Sequence, residues 1–326
     1  RLLVIGGGSI GERHVRCALA TGEVTVSLCD VREEIRQRLA DTYDLSAVYS
    51  DLDSALESQP EIAVVATPAH LHIPMTTKLV ESGVHTLIEK PLSIGLDGVD
   101  PLRELIEKKS MTVGVAYVYR AHPILSEMRD ALKSGRFGEP VQMVVVSGQH
   151  FPHYRPAYRE IYYRDRSTGG GAIQDALTHQ INAGEWLVGP ITQLTADADH
   201  LVLDGVEVED TVHVLARHGT VMASYSLNQH QAPNESSITI VCTRGTLRFE
   251  MHRSRWLWMS EPESEWQTGG QTTLQRDDLF VRQIQLFLES IAQGRDPSCT
   301  FDEGLQTLRV NLAILRASEE RAWAQI

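Results

Sequence analysis

Apolar and polar positions give the chain two rhythms. In the first third, short apolar runs at Leu2–Ile5, Val24–Cys29, Ile62–Ala66, His85–Glu89 and Thr112–Ala116 alternate with amphipathic stretches such as Glu33–Tyr43, Leu52–Glu57 and Ile73–Ser82. The runs carry Val and Ile on both parities, as expected of strands covered by helices on both faces. The alternation predicts right-handed β-α-β crossovers and a parallel sheet. A helix is predicted over Ile124–Ser134, ended by Gly135. Beyond it, Val141–Gln149, Gln193–Leu203, Thr211–His218, Val221–Gln229, Ser236–Thr243, Thr246–Met251 and Arg255–Met259 read as successive strands. Short turns at His218-Gly219 and Arg244-Gly245 make this second sheet antiparallel or mixed. Thr211–Tyr225 partly alternates, so one face is expected to meet solvent or a partner subunit. Two helices close the chain: Asp278–Gln293, with a stripe of Leu279, Phe280, Ile284, Phe287, Leu288 and Ile291, and Asp302–Glu319.

The first strand runs directly into Gly6-Gly7-Gly8-Ser9-Ile10-Gly11, which fits G-x-G-x-x-G. Gly6 permits the turn off the strand, Gly8 lets the backbone approach a pyrophosphate, and Gly11 lets the next helix pack close. The helix N-terminus then offers free N–H groups and the positive end of its dipole to phosphate. Asp30 stands at the end of the second strand, 19 residues after Gly11, where a carboxylate accepts hydrogen bonds from a ribose. These features predict dinucleotide binding. Asp30 favours NAD, whereas Arg32, two residues on, leaves NADP open because a guanidinium binds phosphate or stacks on adenine. The expected fold is α/β: an N-terminal Rossmann domain with a doubly wound parallel sheet (residues 1–120), then a C-terminal α+β domain with a large, mostly antiparallel sheet (residues 121–326), the final helix free to pack back on the first domain.

Composition narrows the partners. At 326 residues the chain suits two domains. A net charge of -13 argues against nucleic acid. No apolar run reaches membrane-spanning length. The four cysteines Cys17, Cys29, Cys242 and Cys299 have no C-x-x-C spacing, so no metal site is expected, and the usage fits a reducing cytoplasm.

Three further groups carry chemistry. Glu89-Lys90-Pro91 closes the fourth apolar run, at the strand edge where open α/β sheets bind ligands. A lysine there can hold a substrate hydroxyl and stabilise charge as a carbonyl forms, against the simpler alternative of a solvated surface lysine. Gly169-Gly170-Gly171 opens a helix expected to run to Val188, and on it Asp175 and His179 are four apart, so both project from one face. A carboxylate beside an imidazole suits acid–base work near neutral pH; the alternative is a surface pair. The segment between Gln149 and Thr168 concentrates Arg155, Arg159, Arg164 and Arg166 with Phe151, Tyr154, Tyr158, Tyr162 and Tyr163. It reads as a pocket wall or a subunit-contact loop. As a wall, its candidate substrate residues are His153, Arg155, Tyr158 and Tyr163.

Taken together, Gly6-x-Gly8-x-x-Gly11, Thr67-Pro68-Ala69-His70-Leu71-His72, Glu89-Lys90-Pro91-Leu92, Arg120-Ala121-His122-Pro123, and Gly169–Gly171 with Asp175 and His179 resemble the glucose-fructose oxidoreductase, inositol dehydrogenase and rhizopine-catabolism (Gfo/Idh/MocA) family over essentially the whole chain. The resemblance implies that Thr67 and Pro68 line the cofactor cleft, with His72 near it. It implies that Glu89 and Lys90 sit beside the nicotinamide with Lys90 on the substrate hydroxyl, and that Arg120 closes the cofactor site. Asp175 would position the substrate or His179, and His179 would exchange the proton. Which of Lys90 and His179 takes the proton first is left open. Two departures bear on substrate orientation: Ala69 replaces a frequent asparagine, and Ala116-Tyr117-Val118 replaces a frequent Gly-Tyr-Asn.

The expectation is a cytoplasmic NAD(P)-dependent oxidoreductase acting on a secondary alcohol of a sugar, cyclitol or sugar acid, with catalytic Lys90, Asp175 and His179. Gly6, Gly8, Ser9, Ile10, Gly11, Asp30, Arg32, Thr67, Pro68, His72, Glu89, Lys90 and Arg120 are its candidate cofactor residues. The resemblance adds a homo-oligomer, dimer or tetramer. The rival classes are an NAD-dependent glycosidase working by transient oxidation and a non-enzymatic cofactor sensor.

Overall fold

Strand β1 (Leu2–Ile5) buries all four of its side chains, and the parity of each decides where it goes. In the computed structural model, which describes residues 1–326, Leu2 and Val4 pack with Val15, Ala18, Leu28, Ile284 and Phe287. Leu3 and Ile5 pack on the opposite face with Ala55, Val65 and Leu79. The sheet is therefore apolar on both sides, which parallel strands covered by helices require. It continues through β2 (Val26–Cys29), β3 (Ala47–Tyr49), β4 (Ile62–Val65), β5 (His85–Ile88) and β6 (Val113–Val115), all parallel, in the order β3-β2-β1-β4-β5-β6. Helices α1 (Ser9–Thr21), α2 (Glu33–Thr42), α3 (Leu52–Glu57), α4 (His72–Glu81) and α5 (Val99–Lys109) connect them.

The chain forms two compact units, Arg1–Ala121 with Gln275–Leu305, and His122–Leu274 with Gln306–Ile326. The break at residue 121 coincides with the change of rhythm, but the first unit also takes in a late segment. Arg16 binds Asp277 through Nε (2.5 Å) and Nη2 (3.0 Å), and Ile284 and Phe287 complete the core under β1.

The second unit holds helix α6 (Pro123–Lys133) and a nine-stranded sheet of β7 (Pro140–Gly148), β8 (Gln193–Asp199), β9 (Thr211–His218), β10 (Val221–Asn228), β11 (Glu235–Cys242), β12 (Gly245–Glu250), β13 (Arg255–Met259), β14 (Gln267–Gln271) and β15 (Ala324–Gln325). Its order is β14-β13-β12-β11-β7-β10-β9-β8-β15, and only the β7–β10 pair is parallel. The expected α/β class and mostly antiparallel second sheet are both present. Along β9 and β10 burial alternates: Val212, Val214 and Tyr225 face the core, while Leu215 and Met222 stand outside on the face that also carries Val146 of β7. A short helix α7 (Phe151–Tyr154), helix α8 (Thr178–Val188), helix α9 (Asp278–Gln293, first unit) and helix α10 (Phe301–Glu320, shared between the units) complete the chain. None of these helices is long and apolar enough to cross a membrane.

Candidate active site

The glycine turn follows β1 because other side chains do not fit there. Gly6 has φ +93°, and a Cβ on it would lie 2.7 Å from the carbonyl oxygen of Ala66. A Cβ on Gly11 would run into the carbonyl oxygen of Gly6. Gly8 is different. A Cβ there would meet nothing within 4 Å, only open space before α1, and no side chain caps that helix. Its first N–H groups therefore point toward that space, with Ser9 and Ile10 opening the first turn. Beside it the Asp30 carboxylate, 5% exposed, accepts the Gly7 N–H at 2.7 Å. Burial pushes the Asp30 carboxyl up, but hydrogen bonds from the Arg32 side chain, the Arg32 amide and the Gly7 amide outweigh it and hold Asp30 below its usual range. These residues fit a dinucleotide: an uncapped helix end for pyrophosphate and an ionised acceptor for ribose hydroxyls.

Arg32 is folded onto the same carboxylate, with Nε to Oδ1 at 3.0 Å and Nη2 to Oδ2 at 2.8 Å. A carboxylate facing a 2′-phosphate is repulsive, whereas a released guanidinium is attractive. Asp30→Ser is therefore expected to raise the Kd for NAD about 10- to 100-fold, the value of one charged hydrogen bond, and to close the gap to NADP. Titration calorimetry with both cofactors checks this; an unchanged preference would refute it.

At the carboxyl ends of β4 and β5 the expected contacts are redistributed. Pro68 is exposed and Thr67 half-buried, with the Thr67 hydroxyl oxygen lacking a protein partner. His72, expected near the cofactor, is instead 1% exposed and spans two backbone carbonyls, Thr67 (Nε2, 2.9 Å) and Pro91 (Nδ1, 2.9 Å). Its burial lowers its pKa. Glu89 was also expected beside the nicotinamide. It lies 5% exposed, with Oε1 2.6 Å from Nε2 of the buried His14 and Oε2 accepting the Lys90 N–H at 3.1 Å. Lys90 is half-buried at the end of β5. Arg120, expected to close the cofactor site, is buried and donates from Nη1 to Glu303 at 2.6 Å and to the Ser298 carbonyl at 3.2 Å. His72, Glu89 and Arg120 are thus buried, each with hydrogen-bond partners inside the first unit.

In the second unit the three glycines again answer to close packing. A Cβ on Gly170 would strike the Tyr163 carbonyl, and one on Gly171 the Glu209 carboxylate. Glu209 Oε1 accepts the Ile173 N–H at 3.0 Å and its backbone oxygen the Ala172 N–H at 3.0 Å, so a buried acid caps the helix that follows. That helix begins with a π turn, Ile173–Leu177, before α8. Asp175 lies in the π turn and His179 in the first turn of α8, so the α-helical spacing assumed for the pair is interrupted between them. Such π turns recur at functional sites. Tyr162 donates to Asp175 Oδ1 at 2.5 Å. A polar seam fixes the roll of α8 against α10: Asn311 to Thr178 (2.8 Å), Asn182 to Thr307 (2.9 Å) and Thr307 to Glu185 (2.8 Å).

The basic and aromatic loop sorts itself by burial. Tyr158 and Tyr163, named above as candidate substrate contacts, are 1% and 0% exposed in a core of Phe151, Leu203, Val206 and Val208. The Tyr158 hydroxyl donates to the Asp204 carbonyl at 2.6 Å and that of Tyr163 to the Gln229 side chain. Both are withdrawn as substrate contacts, because their rings and hydroxyls are already used. His153 and Arg155 remain exposed, as does Tyr162, whose hydroxyl reaches Asp175.

Residues 1–117 match the family described as an oxidoreductase family with an NAD-binding Rossmann fold, and residues 125–248 match the GFO/IDH/MocA C-terminal domain. The chain belongs to the Gfo/Idh/MocA oxidoreductase family. Family membership and the glycine turn agree that the first unit binds NAD and that the protein is an NAD(P)-dependent dehydrogenase. Among relatives, the levoglucosan dehydrogenase of Pseudarthrobacter phenanthrenivorans is 23% identical, covering 99% of this chain and 97% of its own length. The myo-inositol 2-dehydrogenase of Thermotoga maritima is 20% identical, over 98% and 97%. A solved levoglucosan dehydrogenase in complex with NADH and levoglucosan superposes with a TM-score of 0.91 at 20% identity, over 100% of this chain and 98% of that one, and shares its fold.

Proposed function

We propose that this Gfo/Idh/MocA protein oxidises, or in reverse forms, a secondary alcohol on a sugar, cyclitol or sugar acid, with Lys90, Asp175 and His179 as its catalytic residues. The supporting observation is that Lys90, just past the end of β5, sits at the same carboxyl edge of the parallel sheet as the glycine turn after β1, with β4 between the two strands. Held at the glycine turn and Asp30, NAD would supply the hydride acceptor for the carbinol carbon. The rest falls to side chains. The Lys90 ammonium holds the substrate oxygen and stabilises the charge that builds on it as the carbonyl forms. His179 takes the hydroxyl proton. Asp175, kept in place by the Tyr162 hydroxyl, orients the imidazole or a neighbouring hydroxyl. Relatives named for levoglucosan and myo-inositol support a polyol-like substrate.

Two further readings belong to this proposal. The four cysteines are all free and buried, which suits a reducing cytoplasm. Leu215, Met222 and Val146, half-exposed on one face of the large sheet, suit self-association through that face.

A thermal-shift panel of sugars, cyclitols and sugar acids, run with saturating NAD, tests the substrate class, because a ligand that prefers the folded state raises Tm. Each hit is then assayed for NADH absorbance and for sugar release. NADH growth with the hit is the expected result. Glycoside cleavage without net NADH would move the protein to the glycosidase class, and no turnover with any hit would move it to a sensor.

A further inference from the structure

Lys90 is held by its main chain, and the group that holds it leads back to the helix of the glycine turn. Glu89 accepts the Lys90 N–H through Oε2 at 3.1 Å, while its other oxygen lies 2.6 Å from Nε2 of His14. His14 is on α1, three residues after Gly11, and is 0% exposed. Its Nδ1 has no hydrogen-bond partner, and the ring meets Phe280 edge-on with centroids 5.9 Å apart. The tautomer that satisfies the carboxylate therefore carries its proton on Nε2 and donates it to Glu89. On the far side of Lys90, the Pro91 carbonyl lies 2.9 Å from Nδ1 of His72. The lysine is bracketed by two buried imidazoles.

We propose that His14, acting through Glu89, is a positioning residue for Lys90 and ties the helix that cradles the dinucleotide to the ammonium that meets the alcohol. This rests on the assignment of Lys90 to the reacting hydroxyl. The physical argument concerns Glu89. A buried carboxylate stays in place only while its oxygens are paired, and His14 supplies the pairing that frees the second oxygen for the Lys90 amide. Without that donor, Glu89 loses its 2.6 Å partner and its hold on the Lys90 N–H loosens. Displacing a reacting group by about 1 Å can cost on the order of 100-fold in rate.

The test uses His14→Phe, which fills the volume and keeps the contact with Phe280, and His14→Gln, which keeps a donor. The expected result for His14→Phe is a fall in kcat of about 10- to 100-fold with KM and the NAD Kd within about threefold of wild type. His14→Gln should recover most of the loss. In a Lys90→Ala background, His14→Phe should cost nothing further, because residues acting as one unit are not additive. Independently of turnover, hydrogen exchange over residues 86–94 should speed up by about tenfold or more in His14→Phe, as local opening becomes easier. An unchanged exchange rate in that segment overturns the proposal, and so does an equal loss of kcat whether or not Lys90 is present. If Lys90→Ala itself keeps full activity, the dehydrogenase role of Lys90 fails, and the exchange measurement alone decides the positioning claim.

Discussion

Lys90→Ala and His179→Ala are each expected to lower kcat by about 100- to 10,000-fold, the range that positioned acid–base and electrostatic groups supply, while the Kd for NAD stays within a few fold. The separation follows from where the residues sit. The residues that fit a dinucleotide lie at the glycine turn and Asp30, and neither variant touches them. KM should change less than kcat, since both groups act on charge that develops only as the bond breaks. Lys90→Arg is the informative companion. It keeps the positive charge but replaces a compact ammonium with a broad planar fork, so it should restore little. Steady-state rates on the substrate found by the thermal panel, with NAD affinity measured in parallel, decide the matter. Turnover within a few fold of wild type in both alanine variants would remove the catalytic assignment and leave the cofactor assignment standing.

Gly8→Val should give the converse result: a folded protein that has lost its dinucleotide. The backbone at Gly8 has φ -66° and ψ -173°, which a β-branched residue adopts without strain, and its Cβ would meet no protein atom within 4 Å. The added side chain points into the space before α1, where phosphates need direct access to N–H groups. Tm in the absence of cofactor should stay within a few degrees of wild type, since a surface change away from packed features costs about 0.5 kcal/mol or less. The Kd for NAD should rise at least ~100-fold, as both the N–H contacts and the dipole contribution are lost. Gly11→Ala is the contrast, because its methyl would collide with the Gly6 carbonyl. That variant should lose Tm along with NAD. If Gly8→Val binds NAD normally, the space before α1 is not the phosphate site.

Much of this was legible in the sequence, for reasons that are themselves physical. β1 and β4 stand out because strands buried on both faces are apolar at every position. β3 was missed since it is a three-residue edge strand with no fully buried side chain, and β14 because Gln267–Gln271 contains no apolar residue at all. The latter owes its place to Gly269, which lets the backbone lie against the Trp256 indole. The π turn at Asp175 could not be read, because π and α turns draw on the same residues and differ only in register. The motifs placed Glu89, His72 and Arg120 along the chain but gave no sign of their burial or of the partners they hold, because a motif fixes order and not side-chain direction. His14 had a readable signal: it shares a stripe of α1 with Val15 and Ala18, both buried, so a polar ring there had to find a partner indoors. In the irregular loop no period separates Tyr158 and Tyr163, which are buried, from Tyr162, which is not.

That last division separates what anchors the loop from what it displays. Tyr158 and Tyr163 work as pegs, each ring sunk in an apolar socket and each hydroxyl fastened, so the path of the loop is settled beneath the surface. His153 and Arg155 stand exposed outside that frame, while exposed Tyr162 reaches back from it to Asp175. Substitutions at His153 and Arg155 should therefore alter what the loop displays without rerouting it, because the scaffold beneath stays the same.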